Sequence, residues 1–232
     1  MIPVVVPGWA TLVRAPNPGP MTLDGTNTWV LRDPSAGSCV VVDPGPLDEG
    51  HLAAVAAHGP VEAVLLTHGH PDHVEGLPRF LELTGAEVRT GSVRAAGLVI
   101  EALPTPGHTA DSVSYLVDGQ AVLTGDTILG RGSTVVAWPD GNLGDYLASL
   151  EELMGLGPLV VLPGHGPVLP SVAEAAARYL AHRHDRLAQV RAAVAAGAST
   201  PREVVEAVYA EVDPQLWGAA ELSVRAQLEY LS

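Results

Sequence analysis

Thr67-His68-Gly69-His70-Pro71-Asp72-His73 gathers three imidazoles and a carboxylate into one short run. Polar side chains packed this densely cost folding energy unless something pairs with them. Transition-metal binding is the chemistry that uses them together, because imidazole nitrogen and carboxylate oxygen suit zinc, iron or manganese. Three more candidates lie downstream, each preceded by glycine: Gly107-His108, Gly125-Asp126 and Gly164-His165. One tetrahedral ion takes four ligands. The seven residues His68, His70, Asp72, His73, His108, Asp126 and His165 therefore point to two ions sharing a site.

The elements that must position these residues are strands. Val61–Leu66 is an apolar run of the kind a buried strand uses. His68 and His70 follow it two positions apart, a spacing that points both rings the same way in an extended segment. Pro71 stops the strand. Asp72 is expected to cap a helix beginning near His73, with Glu75 completing a capping-box-like start. Leu98–Leu103 precedes His108, Ala121–Thr124 precedes Asp126, and Leu159–Leu162 precedes His165. Every candidate thus follows an expected strand, where an α/β sheet displays functional groups on its loops. The neighbouring glycines let the backbone come close to the ions. His51, His58, His182 and His184 fall on expected helices without such a setting and read as surface or packing residues.

The pattern His68-x-His70-x-Asp72-His73, followed by His108, Asp126 and His165, resembles the ligand set of the metallo-β-lactamase superfamily. The resemblance implies an α/β fold of the αββα type, two sheets back to back with helices outside. It also implies that His68, His70 and His108 hold one metal, that Asp72, His73 and His165 hold the other, and that Asp126 bridges them. The cofactors expected are two divalent metal ions, zinc by default, with iron or manganese accepting the same set. Such ions sit about 3.5–4 Å apart and need an anion between them; coordination lowers the pKa of water from ~15.7 towards ~7, which makes a hydroxide nucleophile. Asp72 and Asp126 are then the catalytic carboxylates, Asp72 orienting the hydroxide or taking its proton. Asp43, which ends the expected strand Cys39–Val42, resembles the family's upstream aspartate and would fix a ligand by hydrogen bonding.

True β-lactamases of the superfamily lack a bridging aspartate at the position of Asp126, and the chain's one cysteine, Cys39, belongs inside a strand. The bridging aspartate is instead similar to that of thioester, lactone and phosphodiester hydrolases. The short stretch from Asp126 to His165 leaves no room for the large inserted domain of the RNA-processing exonuclease branch. Asn17–Thr28, Gly125–Gly130 and Asp213–Ala220 resemble the β-lactamase-like protein 2 subfamily, so the likeness spans nearly the whole chain. That subfamily implies phosphodiester hydrolysis of the single-stranded-RNA endonuclease type. The alternative is a thioester or lactone hydrolase of the glyoxalase II or polyketide-thioesterase type, and a third reading is a noncatalytic metal-binding protein. Charge weighs against RNA: 12 basic residues, all arginine, oppose 26 acidic ones, giving −14 where a nucleic-acid protein carries a basic footprint. Arg131, with Ser133 and Thr134 in the glycine-rich run after Asp126, is the candidate for binding a substrate anion. Arg178, His182 and Arg186 share one helix face, whereas Arg183 falls among Tyr179, Leu187 and Val190.

Composition divides the chain into residues 1–170, a catalytic domain in which strands alternate with helices, and 171–232, a small all-helical, winged-helix-like module. Three helices are expected in the module. One is opened by Ser171 and Glu174 and stops near Gly197; one is opened by Thr200, Pro201 and Glu203; one is opened by Asp213 and Pro214. The acidic residues of the second helix suit a wall of the cleft or a homodimer contact better than a nucleic-acid surface. The N-terminus, interrupted by Pro3 and Pro7, is not a signal peptide, no apolar run spans a membrane, and one cysteine excludes a disulfide framework. A cytoplasmic protein of GC-rich bacterial composition is expected.

Overall fold

Two sheets form the centre of the computed structural model, which describes residues 4–232, so the reading of Pro3 lies outside the described residues. The first sheet has the order β1 (Ala10–Arg14), β2 (Asn27–Leu31), β3 (Cys39–Val42) and β4 (Val61–Leu65). The second has the order β5 (Val93–Ala95), β6 (Leu98–Pro104), β7 (Val113–Val117), β8 (Ala121–Gly125) and β9 (Val160–Pro163). Period-two alternation decides which residues face where. Val40 and Val42 join Leu65, Ile100, Tyr115, Leu123 and Leu162 between the sheets. Cys39 and Val41 face the other way, onto Leu52 and Val55 of α1 (Glu49–Ala56) and Phe80 of α3 (Leu77–Thr84). Val122 and Val161 face outward on the second sheet, against α4 (Leu143–Gly155) and the start of α5 (Val172–Ala195). The layers are therefore helix, sheet, sheet, helix. β3 reads as an unbroken apolar run because both its faces are covered.

The strand directions bring the chemistry to one edge. β3 and β4 are parallel, joined through α1, and β8 and β9 are parallel, joined through α4. β6 is antiparallel to β7, which is antiparallel to β8, so β6, β8 and β9 run the same way. The C-terminal ends of these strands, carrying Asp43, the His68–His73 loop, His108, Asp126 and His165, lie along a shared rim. The sheets are tied there: Asn27 N donates to Gly164 O at 2.8 Å and Val113 N to Thr67 O at 2.8 Å.

Beyond β9 the chain is helical. α5 is capped by Ser171, whose hydroxyl accepts from Glu174 N. α6 (Pro201–Val208) opens on the full Thr200–Glu203 capping box. The third helix begins later than expected: Asp213 caps a 3-10 turn, Pro214–Leu216, and α7 runs from Trp217 to Leu231. The end of α5 packs through Val190 on Val204, Val205, Tyr209 and Val224 of this module. Among the described residues no helix is long and apolar enough to cross a membrane.

Candidate metal centre

All seven residues converge. One group brings a ligand atom each from His68, His70, His108 and Asp126 within 4.8 Å of one another, and a second does so for Asp72, His73 and His165. His70 Nδ1 lies 3.0 Å from His68 Nε2 and 3.0 Å from His108 Nε2. His73 Nε2 lies 3.2 Å from His165 Nε2, and His165 Nε2 lies 3.1 Å from Asp72 Oδ2. Zn–N bonds of about 2.0–2.1 Å set tetrahedral ligand atoms roughly 3.3 Å apart, close to these separations. Asp126 stands between the groups: its Oδ1 is 3.5 Å from His73 Nε2, and its Oδ2 is 3.4 Å from His165 Nε2 and 3.8 Å from His108 Nε2. Oδ1 is also buried without a hydrogen-bond partner. A buried carboxylate oxygen left unpaired is costly, and a cation between the two groups is what would satisfy it. The donor set fits divalent metal.

The loop after β4 does not continue the strand, and Asp72 is not a helix cap. Pro71 occupies the first turn of α2 (Pro71–Val74), whose N-cap is His70 with no side-chain bond. Asp72 is thereby inside the turn, and its carboxylate reaches His165 and accepts from Thr26 Oγ1 at 3.2 Å. Glu75 is at the other end of α2, where its Oε2 accepts from Leu47 N at 3.4 Å.

Asp43 holds this loop from beneath. Its Oδ1 accepts from Thr67 N at 2.7 Å, and its Oδ2 accepts from Thr67 Oγ1 at 2.6 Å and lies 2.8 Å from His73 Nδ1. Its backbone is left-handed, φ 52°, a conformation aspartate tolerates better than most residues. His108 is oriented in the same manner by the Val135 carbonyl, 2.6 Å from Nδ1. Each contact leaves the other ring nitrogen facing the cluster, the arrangement that fixes a ligand histidine. Gly164 has a packing role: a Cβ there would sit 2.6 Å from Asp126 Oδ1 and 2.8 Å from His73 Cε1.

Protonation follows the charges. Burial pushes His68 down to about 3, helped by His73. Burial also depresses His73, but Asp126 and Asp43 outweigh it and hold the ring well above its usual value. His165 is likewise desolvated, yet its bonds to Asp126 and Asp72 raise it to about 9. Asp126 is held well below the usual carboxylate range, because His73 and His165 overcome its desolvation.

A cavity of about 310 Å³ opens beside His108 and Asp126. Ser133 and Thr134 line it, and Thr134 Oγ1 donates to the Asp126 carbonyl. Arg131 also reaches it, but its charge is already engaged: it forms a two-point ion pair with Asp24, at 2.5 and 2.9 Å. The far wall comes from the C-terminal helices, through Tyr209, Val212, Leu216, Ala219 and Ala220. Of the histidines read as ordinary, His51 is buried on α1 and 2.9 Å from Thr28 Oγ1, His58 lies just past α1, and His184 is exposed on α5. His182 departs from that reading, since it lines the cavity.

The metallo-β-lactamase superfamily model matches residues 21–96 and 89–165, most of the chain. The chain belongs to the metallo-β-lactamase superfamily. As a member of it, the protein is a metal-dependent hydrolase. The model of the β-lactamase-associated winged helix domain matches residues 200–232, the last two helices. A β-lactamase-like protein 2 homolog from Caenorhabditis elegans is 33% identical over 207 residues, covering 76% of this chain and 68% of that protein. The atrochrysone carboxyl ACP thioesterase of Aspergillus fumigatus is 32% identical over 229 residues, covering 83% of this chain and 71% of that one. In structure, a β-lactamase domain protein from Burkholderia ambifaria superposes with a TM-score of 0.79 at 24% identity, over 98% of this chain and 86% of that one.

Proposed function

We propose that the chain is a dinuclear hydrolase that cleaves an acyl thioester. His68, His70 and His108 would hold one divalent cation, Asp72, His73 and His165 the other, with Asp126 between them. Zinc is the first choice for so histidine-rich a set, ahead of iron or manganese. When bound, the cations supply an acidified water as nucleophile and stabilise the negative charge that develops on the attacked carbonyl. The protein's own groups do the rest. Thr26 and His165 hold Asp72 Oδ2 in place. The Asp72 side chain is 29% exposed against 11% for Asp126, so it is the more open of the two carboxylates to the cleft. A departing thiol has a pKa near 8.5, so it leaves without the strong acid that an alkoxide demands.

The observation that carries the choice of substrate is the cavity beside the cluster. One wall is apolar, made by Val212, Leu216, Ala219 and Ala220, and the arginines that line it, Arg131, Arg183 and Arg186, sit within one small cavity rather than along an extended track. A polynucleotide needs a basic track; here Arg131 is paired with Asp24 and the net charge is −14. The thioesterase named among the relatives supports the same reading.

The test is a panel of N-acetylcysteamine thioesters, lactones and short single-stranded RNAs, each with added zinc, iron or manganese and with chelator. Metal-dependent thioester cleavage is expected. RNA cleavage without thioester cleavage would reverse the choice.

A further inference from the structure

Arg183 lies on the buried stripe of α5 between Tyr179 and Leu187 and is 3% exposed. Arginine keeps its charge in proteins, and a buried charge without an opposite partner weakens the fold. The arginine ion pairs found among the described residues belong to Arg79, Arg89, Arg131 and Arg202. Arg183 is held instead by neutral groups. Its Nη2 donates to the Thr134 carbonyl, and its guanidinium lies over the Tyr146 ring, 5.0 Å from the centroid. Its Nε is buried with no hydrogen-bond partner. None of these contacts cancels the charge.

Arg183 lines the cavity that opens on His108 and Asp126. Its neighbour Arg186 also lacks a carboxylate partner but is only half-buried, so water screens its charge. Arg186 donates to Gln189 and to the Val208 carbonyl and stacks on Tyr209 at 4.6 Å. Burial, helped by Arg183, pushes His182 towards its neutral form. The cavity thus joins an uncompensated buried cation to an apolar wall of Leu216, Ala219 and Ala220. At about 310 Å³ it is at the small end of ligand sites.

We propose that the acyl group taken here ends in a carboxylate that pairs with Arg183, while its hydrocarbon skeleton lies along the α7 wall. The placement of the acyl carbonyl at the metal cluster rests on the hydrolase reading; the ion pair does not require turnover. A planar guanidinium favours a two-point carboxylate partner, and such charged bonds are among the strong ones. Arg183 is on this view a specificity-determining residue, and the ligand restores the counter-charge that the fold omits.

The experiment is calorimetric binding to the metal-loaded protein of the dicarboxylic acids from succinic to suberic, each beside its ω-monoamide. Both members of a pair carry the carboxylate that can reach the metal end, so their difference reports the far end alone. At one chain length the diacid should bind at least about tenfold more tightly than its amide. The preference should vanish in Arg183→Met, with the melting temperature unchanged or raised. If the methionine variant does not fold, Arg183→Lys carries the comparison, and a clearly reduced preference is expected. No preference at any length in the unmodified protein, or one that survives substitution, would overturn the proposal. Thioester cleavage without carboxylate preference sinks this inference alone; carboxylate preference without thioester cleavage sinks the thioester reading alone.

Discussion

Asp43 constrains two positions of the metal loop at once, binding Thr67 through backbone and hydroxyl and His73 through Nδ1. Removing it strands buried donors, at about 1–3 kcal/mol each, and frees the His73 ring to turn. Asp43→Ala should therefore weaken metal binding by roughly 10–100-fold and lower the denaturation midpoint. Chelator competition and urea unfolding read the two effects; unchanged metal affinity would mean that Asp43 does not orient His73. Asp43 was legible in the sequence because it ends an apolar strand, as were the seven candidate ligands, whose costly polar groups recur at strand ends. Thr26 and the Val135 carbonyl were not, since a lone threonine and a backbone oxygen carry no signature. Arg183 did leave a signal, a cation on an otherwise apolar helical stripe, which reads as packing until the cavity beside it is seen.

The strands position the site by ending together, and their loops approach so closely that β-carbons become obstacles. A Cβ on Gly164 would meet Asp126 and His73, neither of which can retreat without breaking the cluster. Gly164→Ala should cost about 1–3 kcal/mol through overpacking, and it should cut turnover more than the loss of folded protein explains. Unfolding curves beside initial rates on the same samples check this; wild-type values for both would show that β9 has slack. Strand cores were readable from continuous apolar runs. α6 was readable from its cap, proline and glutamate in sequence order. A local start signal misled where tertiary partners competed, since Asp72 resembles a cap but is drawn to His165 and Thr26; Asp213 does cap locally, through Gln215 N, but what it opens is a 3-10 turn before α7. Expected helix starts therefore held where the polar side chain had no better bond elsewhere.

At the scale of the whole molecule, folding and function draw on different parts. The interior between the sheets is filled by side chains such as Trp29, Leu31, Leu65, Ile100 and Leu123, each at most 2% exposed. Burying one such chain contributes about 1.5–3 kcal/mol, and the sandwich is expected to fold without a cation. The rim then carries the cost of crowded imidazoles and carboxylates, as functional sites do. The layered fold followed from the sequence through the ligand pattern's resemblance. The lining of the cavity could not be read residue by residue from the sequence, because it arises where α5 and α7 meet the loop after β8. The most direct test is a calorimetric titration of the chelator-stripped protein with zinc, begun after far-UV circular dichroism shows that the strands and helices persist. Saturation at two cations per chain, with thioester hydrolysis recovering as the sites fill, is the predicted result. A stripped chain that binds no cation, or that hydrolyses the thioester at full rate without one, would contradict it.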